Sequence, residues 1–179
     1  RLVERLRAWR PSGDSADLGG VAHDHATTWW TRFVMTGGMP AVVAADCAAD
    51  DPRAVRRLQS DLVATYRDDF TKYAGRVDPL VLDTVLRSVA LQIGSKFVYS
   101  QVGDDVRHAV VRRALELLAR ARLCHLVTHS AANGLPLGGE VNERLRKALL
   151  LDVGLAHALL STPAAPAASV WERMAPRVR

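Results

Sequence analysis

"VVRRALELLARARLCHLV", residues 110–127, runs from a helical pattern straight into an extended one. Val106, Val110, Ala114, Leu117, Leu118 and Ala121 recur at helical spacing and predict a helix over 105–121. "LCHLVTH", 123–129, then alternates and reads as a strand. Upstream, "KFVYSQV", 96–102, is short and rich in β-branched and aromatic residues, and Gly103 breaks it. Asp104 or Asp105 can cap the helix that follows. Downstream, Asn133-Gly134 lies in a long turn, and "RKALLLD", 146–152, reads as the returning strand. A helix over 79–93, a compact turn, a second helix and a hairpin together predict a winged helix-turn-helix.

The rest of the chain reads as helix and turn. Asp51-Pro52 and Asp78-Pro79 each place a capping carboxylate before a proline, which needs no donor at the first helical position. After the first pair, Val55, Leu58, Leu62, Tyr66, Phe70 and Tyr73 form one stripe that Gly75 ends, with Asp68 and Lys72 paired on another face. After the second, Leu82, Val85, Leu86, Val89 and Ile93 repeat the period up to Gly94. A helix is expected over 21–35, with Trp29, Trp30, Phe33 and Val34 as its apolar body. Adjacent tryptophans diverge, so one is expected in the core and the other against a second element or a missing domain. "LVERLRAW", 2–9, reads as a short helix, 11–20 as a loop or linker, and 161–169 as a loose Ala/Pro tail. Tyr66, Phe70, Leu86, Val110, Leu117, Leu118 and Leu126 are expected to be buried.

"FVMTGGMPAVVAA", 33–45, is a helix that stops and restarts. One glycine suffices for such a turn, yet Gly37 and Gly38 are adjacent and Pro40 follows. The second glycine asks what lies opposite a bend that no side chain fills.

Composition narrows the function classes. With 179 residues, 49% of them apolar, the chain can bury a core as one domain or two small ones. It begins at Arg1 and is expected to be a piece of a longer protein. No apolar run approaches a membrane span and no secretion signal is legible, so no membrane partner and a cytoplasmic location are expected. Cys47 and Cys124 form no C-x-x-C and read as buried thiols in a reducing compartment. The net charge is +5, and of 24 basic residues only Lys72, Lys96 and Lys147 are lysines. That arginine bias fits either background composition or a phosphate-binding surface, because a guanidinium grips phosphate with two donors.

Candidate chemistry is sparse. His23 and His25 diverge on a helix, His125 and His129 stand too far apart on one strand face, and Cys124 points the other way, so no metal site is expected. No Gly-x-Ser-x-Gly elbow is present. "ALLLD", 148–152, looks like an apolar strand ending in a magnesium-holding acid. Without a G-x-x-x-x-G-K-[ST] loop that acid has no phosphate to serve, and Asp152 reads as the cap of a last helix, "VGLAHALL". The candidate nucleic-acid contacts are Arg107, Arg112 and Arg113 at the start of the second helix, with His108 beside them and Lys96 nearby. Asp104 and Asp105 oppose phosphate at that tip, and Arg112, Glu116 and Arg120 form the ladder of an ordinary solvated face. DNA and a protein partner both remain open.

The segments "FVMTGGMPAVV", "RRLQSDLVATYRDDFTKYA", "KFVYSQV", "RALELLARARLCHLV", "GLPL" and "KALLLDVGLAHALL" occur in an order that resembles a prokaryotic family of AAA-type, signal-transduction-like ATP-binding proteins with a C-terminal domain of unknown function. The resemblance covers roughly 25–160. It implies a mainly α fold: a helical lid-like bundle over 1–76, a winged helix-turn-helix with a small β-hairpin over 77–160, and a linker over 161–179. It implies partners outside this sequence, an N-terminal P-loop domain and a C-terminal nuclease-like segment. ATP and magnesium belong to the parent, and no cofactor or catalytic residue to this piece. Gly38 and Pro40 match the family's Gly-x-Pro turn, whose proline lies against the nucleotide base. The function so implied is coupling of nucleotide state to a winged-helix interaction domain. The alternative is a stand-alone winged-helix DNA-binding regulator.

Overall fold

Two Asp-Pro pairs start the two central helices. The computed structural model describes residues 20–49, 51–73, 75–103, 105–131, 133–135 and 137–161, together with Glu4 and Arg7. Helix α1 spans Gly20–Thr36, α2 Pro40–Ala49, α3 Pro52–Phe70, α4 Pro79–Leu91, α5 His108–Arg120 and α6 Val153–Leu159. Strands β1, Cys124–Ser130, and β2, Val141–Leu150, form an antiparallel sheet. The described chain is thus mainly helical with one small antiparallel sheet. Asp51 accepts from the Arg53 N–H at 2.9 Å and Asp78 from the Leu80 N–H at 2.8 Å, which fixes the starts of α3 and α4. Of the expected helix over 2–9 only Glu4 and Arg7 are described, both helical, and the expected tail over 161–169 lies outside the described residues beyond Ser161.

The junction in 110–127 is a helix stop made without glycine. Arg122 takes φ +60, the Leu123 N–H donates to Leu118 O at 3.0 Å, and the Arg122 N–H donates to Ala119 O at 3.1 Å. These two closures satisfy the last carbonyls of α5 and turn the chain at once into β1. Before α5, Gln92 ties the end of α4 to an extended piece, accepting from the Val98 N–H at 2.6 Å and donating to Ser88 Oγ at 2.9 Å. The Phe97 N–H donates to Arg146 O at 2.9 Å, so this piece lies beside β2.

One apolar core joins Val63 and Phe70 of α3, Leu82, Val85, Leu86 and Val89 of α4, Phe97 of the extended piece after α4, Val111, Leu115 and Leu118 of α5, Ala148 of β2, and Leu155 and Leu159 of α6. Phe70, Leu86, Leu117 and Leu118 are buried as expected, whereas Tyr66, Val110 and Leu126 are half-buried. Val111 rather than Val110 is fully buried, in one row with Ala114, Leu115 and Leu118, and α5 starts at His108 with Arg107 in the capping position. Asp105 is therefore not the cap, and Asp104 lies outside the described residues. Trp29 and Trp30 are 57% and 54% exposed and Phe33 is also exposed, so neither tryptophan enters the core. Instead the Trp29 indole donates to His25 Nε2 at 2.7 Å, and the Trp30 and Phe33 rings lie 6.0 Å apart along the same helix. Lys72 pairs with Asp69 at 2.5 Å rather than with Asp68. Cys124 is buried, which pushes its thiol up to about 12, but Cys47 is exposed. No described helix is long and apolar enough to cross a membrane.

Candidate functional site

The space opposite the double glycine is filled by Asp152. Gly37 sits at φ +77, and a Cβ there would lie 2.1 Å from Asp152 Oδ1. The Gly38 N–H donates to Asp152 Oδ2 at 2.6 Å, while Oδ1 accepts from the Leu155 N–H at 3.1 Å. One carboxylate thus caps α6 and holds the turn between α1 and α2. Its reading as a helix cap is correct, and it does more. Each oxygen accepts a backbone N–H, which fixes the carboxylate between the turn and α6.

The end of α1 is closed by two further side chains. Gln59 of α3 is 1% exposed, and its Nε2 donates to Met35 O at 2.9 Å and Thr36 O at 3.0 Å. His157 Nε2 of α6 donates to Val34 O at 3.1 Å. These donors satisfy carbonyls that a helix end leaves without partners. Gly154 lets α6 approach, since a Cβ there would meet Thr36 O at 2.4 Å and Gln59 Nε2 at 2.6 Å.

Burial holds the His157 imidazole below its ordinary value, the positive Arg56 adds to this, and the bond to Val34 O opposes it. The unfolded chain then takes up a proton near pH 6.5 that the folded chain resists. Stability from this group is full above that pH and falls as pH drops below it. Urea midpoints between pH 7.5 and 5.5 are expected to fall less steeply in His157→Gln than in wild type; parallel slopes would remove His157 from the acid response.

The sequence candidates occupy two places. Gly38 and Pro40 are exposed on the outer side of the turn. Arg107, Arg112 and Arg113 are exposed at the start of α5, with Arg112 Nε 3.1 Å from Glu116 Oε1. His108 packs its ring 6.3 Å from Tyr99. Lys96 does not join them on α5; it lines a groove against the hairpin with Val127, Thr128, His129, Leu145, Arg146 and Lys147.

Sequence reading missed Gln59, Gly154 and His157. Gln59 did carry a signal: it sits four residues from both Val55 and Val63, a polar residue within a buried row. Residues 27–165 match the family model described as "Domain of unknown function (DUF8612)". No curated protein and no solved structure matches the chain.

Proposed function

The chain belongs to the DUF8612 family, and we propose that it is a non-catalytic coupling module of a longer AAA-type ATP-binding protein. Its lid-like helices, 1–76, sense nucleotide through the Gly38–Pro40 turn, and a winged helix, 77–160, makes the output contact. The observation that carries this reading is the Asp152 carboxylate, bonded at once to the Gly38 N–H and to the N-terminus of α6. A displacement of the turn must move α6, and Leu151 links α6 to the hairpin through its N–H on Leu123 O at 2.9 Å. The winged-helix reading is supported by the order α4, extended piece, α5, β1, β2, with Phe97 bonded to Arg146 of β2. Exposed Gly38 and Pro40 leave an adenine room to lie against the turn from a neighbouring domain.

Calorimetric titration of the full-length protein with ATP tests this. Pro40→Ala is expected to weaken affinity by about threefold, the loss of one apolar contact of under ~1 kcal/mol. Unchanged affinity in the folded variant would return Pro40 to a plain helix start.

Exposed Arg107 and Arg113 at the start of α5 favour the second reading, a DNA-binding regulator. Asp105 is exposed at that tip, and Arg112 already pairs with Glu116. Weak, sequence-independent duplex binding is expected at low salt and lost by physiological salt. Binding that survives physiological salt and collapses in Arg112→Ala/Arg113→Ala would establish the regulator instead.

A further inference from the structure

The hairpin ladder breaks in one place. Its register runs from Cys124↔Leu150 to Thr128↔Arg146 and then jumps to His129↔Asn142, so 143–145 of β2 have no partner on β1. A bulge of this kind re-aims side chains and opens the sheet locally. Leu145, at the inner end of the bulge, becomes one wall of a groove of about 360 Å³. That volume falls within the roughly 300–1,000 Å³ of clefts that hold ligands. Val127 and Thr128 also line it, and Lys96 and Lys147 are its exposed lysines. Two bonds brace it: Phe97 N–H to Arg146 O at 2.9 Å, and Lys147 Nζ to Gly94 O at 2.9 Å.

Two properties of this groove point the same way. Its lining surface is carbon, with Val127 and Leu145 as its apolar residues. Among the described residues the exposed charged groups that line it are basic, Lys96 and Lys147, with His129 beside them, while Arg146 is buried. An apolar floor inside a cationic rim complements an apolar side chain flanked by carboxylates. A nucleic-acid backbone supplies the charge but nothing to fill the floor.

We propose that this groove docks an acidic segment of a partner protein, which seats one large apolar side chain against Val127 and Leu145 while its carboxylates meet Lys96 and Lys147. This deepens the contact role proposed above by naming the partner's chemistry. The probe reads the hairpin alone, so its failure is distinct from failure of the nucleotide titration.

Fluorescence anisotropy tests it with a labelled peptide carrying a central Leu-Phe pair between runs of aspartate. At low salt the full chain is expected to bind this peptide. Replacing the aspartates by asparagine, or Leu-Phe by Ser-Ser, should each weaken binding about tenfold. Lys96→Glu/Lys147→Glu should do the same, and Val127→Asp, at an exposed position, should block seating while leaving the thermal transition in place. No binding of the parent peptide would overturn the proposal. So would equal binding of the Ser-Ser peptide, which reduces the contact to charge. Displacement of the peptide by duplex DNA at lower concentration, with the same sensitivity to Lys96→Glu/Lys147→Glu, would assign the groove to nucleic acid instead.

Discussion

Gly154→Ala is expected to lower the unfolding free energy by about 2–3 kcal/mol, although it adds a single methyl group. The new Cβ would sit 2.4 Å from Thr36 O and 2.6 Å from Gln59 Nε2, two atoms already hydrogen-bonded to each other. Neither can yield cheaply. Thr36 O is backbone at the end of α1, and Gln59 is held by Met35 O as well. Relief requires α6 to move away, which stretches His157 from Val34 O and Asp152 from Gly38 N–H. Urea denaturation measures the loss. Gly134→Ala is the control, because nothing lies within 4 Å of its added Cβ; it should stay within about 0.5 kcal/mol of wild type. A Gly154→Ala midpoint equal to that control would mean that α6 does not pack against α1 at this distance.

Leu118→Ala is the other large effect, expected to cost about 2–5 kcal/mol. Leu118 is 1% exposed in the core shared by α3, α4, α5 and α6, and its carbonyl accepts the bond that turns the chain into β1. The side chain carries the transfer and cavity costs; the backbone bond survives the substitution. Leu135→Ala, at an 89% exposed position, is the matching control. A loss below about 1 kcal/mol at Leu118 would be incompatible with a core that cannot collapse around the cavity.

Local chemistry made much of this fold readable. Asp51-Pro52 and Asp78-Pro79 announce helix starts because cap and proline act within a single turn. The passage from α5 to β1 was legible from the change of period at Leu123, though its use of Arg122 at positive φ was not. Inward faces were less certain where two apolar residues are adjacent. Val110 and Val111 both continue a helical row, and Asp104 and Asp105 pointed to a start earlier than His108. The tryptophans misled for a related reason: their size suggests burial, but an amphipathic ring can be satisfied on its own helix, as Trp29 is by His25.

The joint around Asp152 was legible only in halves. Two glycines in 33–40 asked for a close approach, and Asp152 read as a helix cap. Nothing periodic connects positions so far apart, and a carboxylate that serves two backbone donors leaves no pattern in either neighbourhood. The hairpin groove was hidden too, because it depends on a register jump between Thr128 and His129. A bulge has no turn residue to announce it.

The separation of 114 residues between Gly38 and Asp152 sets an order of events during synthesis. At about 5–20 residues per second, the end of α1 waits on the order of ten seconds before Asp152 and His157 are made. Throughout that interval the carbonyl of Val34 lacks His157, and water must serve it. Closing so long a loop costs entropy before any contact repays it. The turn between α1 and α2 is therefore locked only late, and the element that locks it is the seven-residue helix Val153–Leu159.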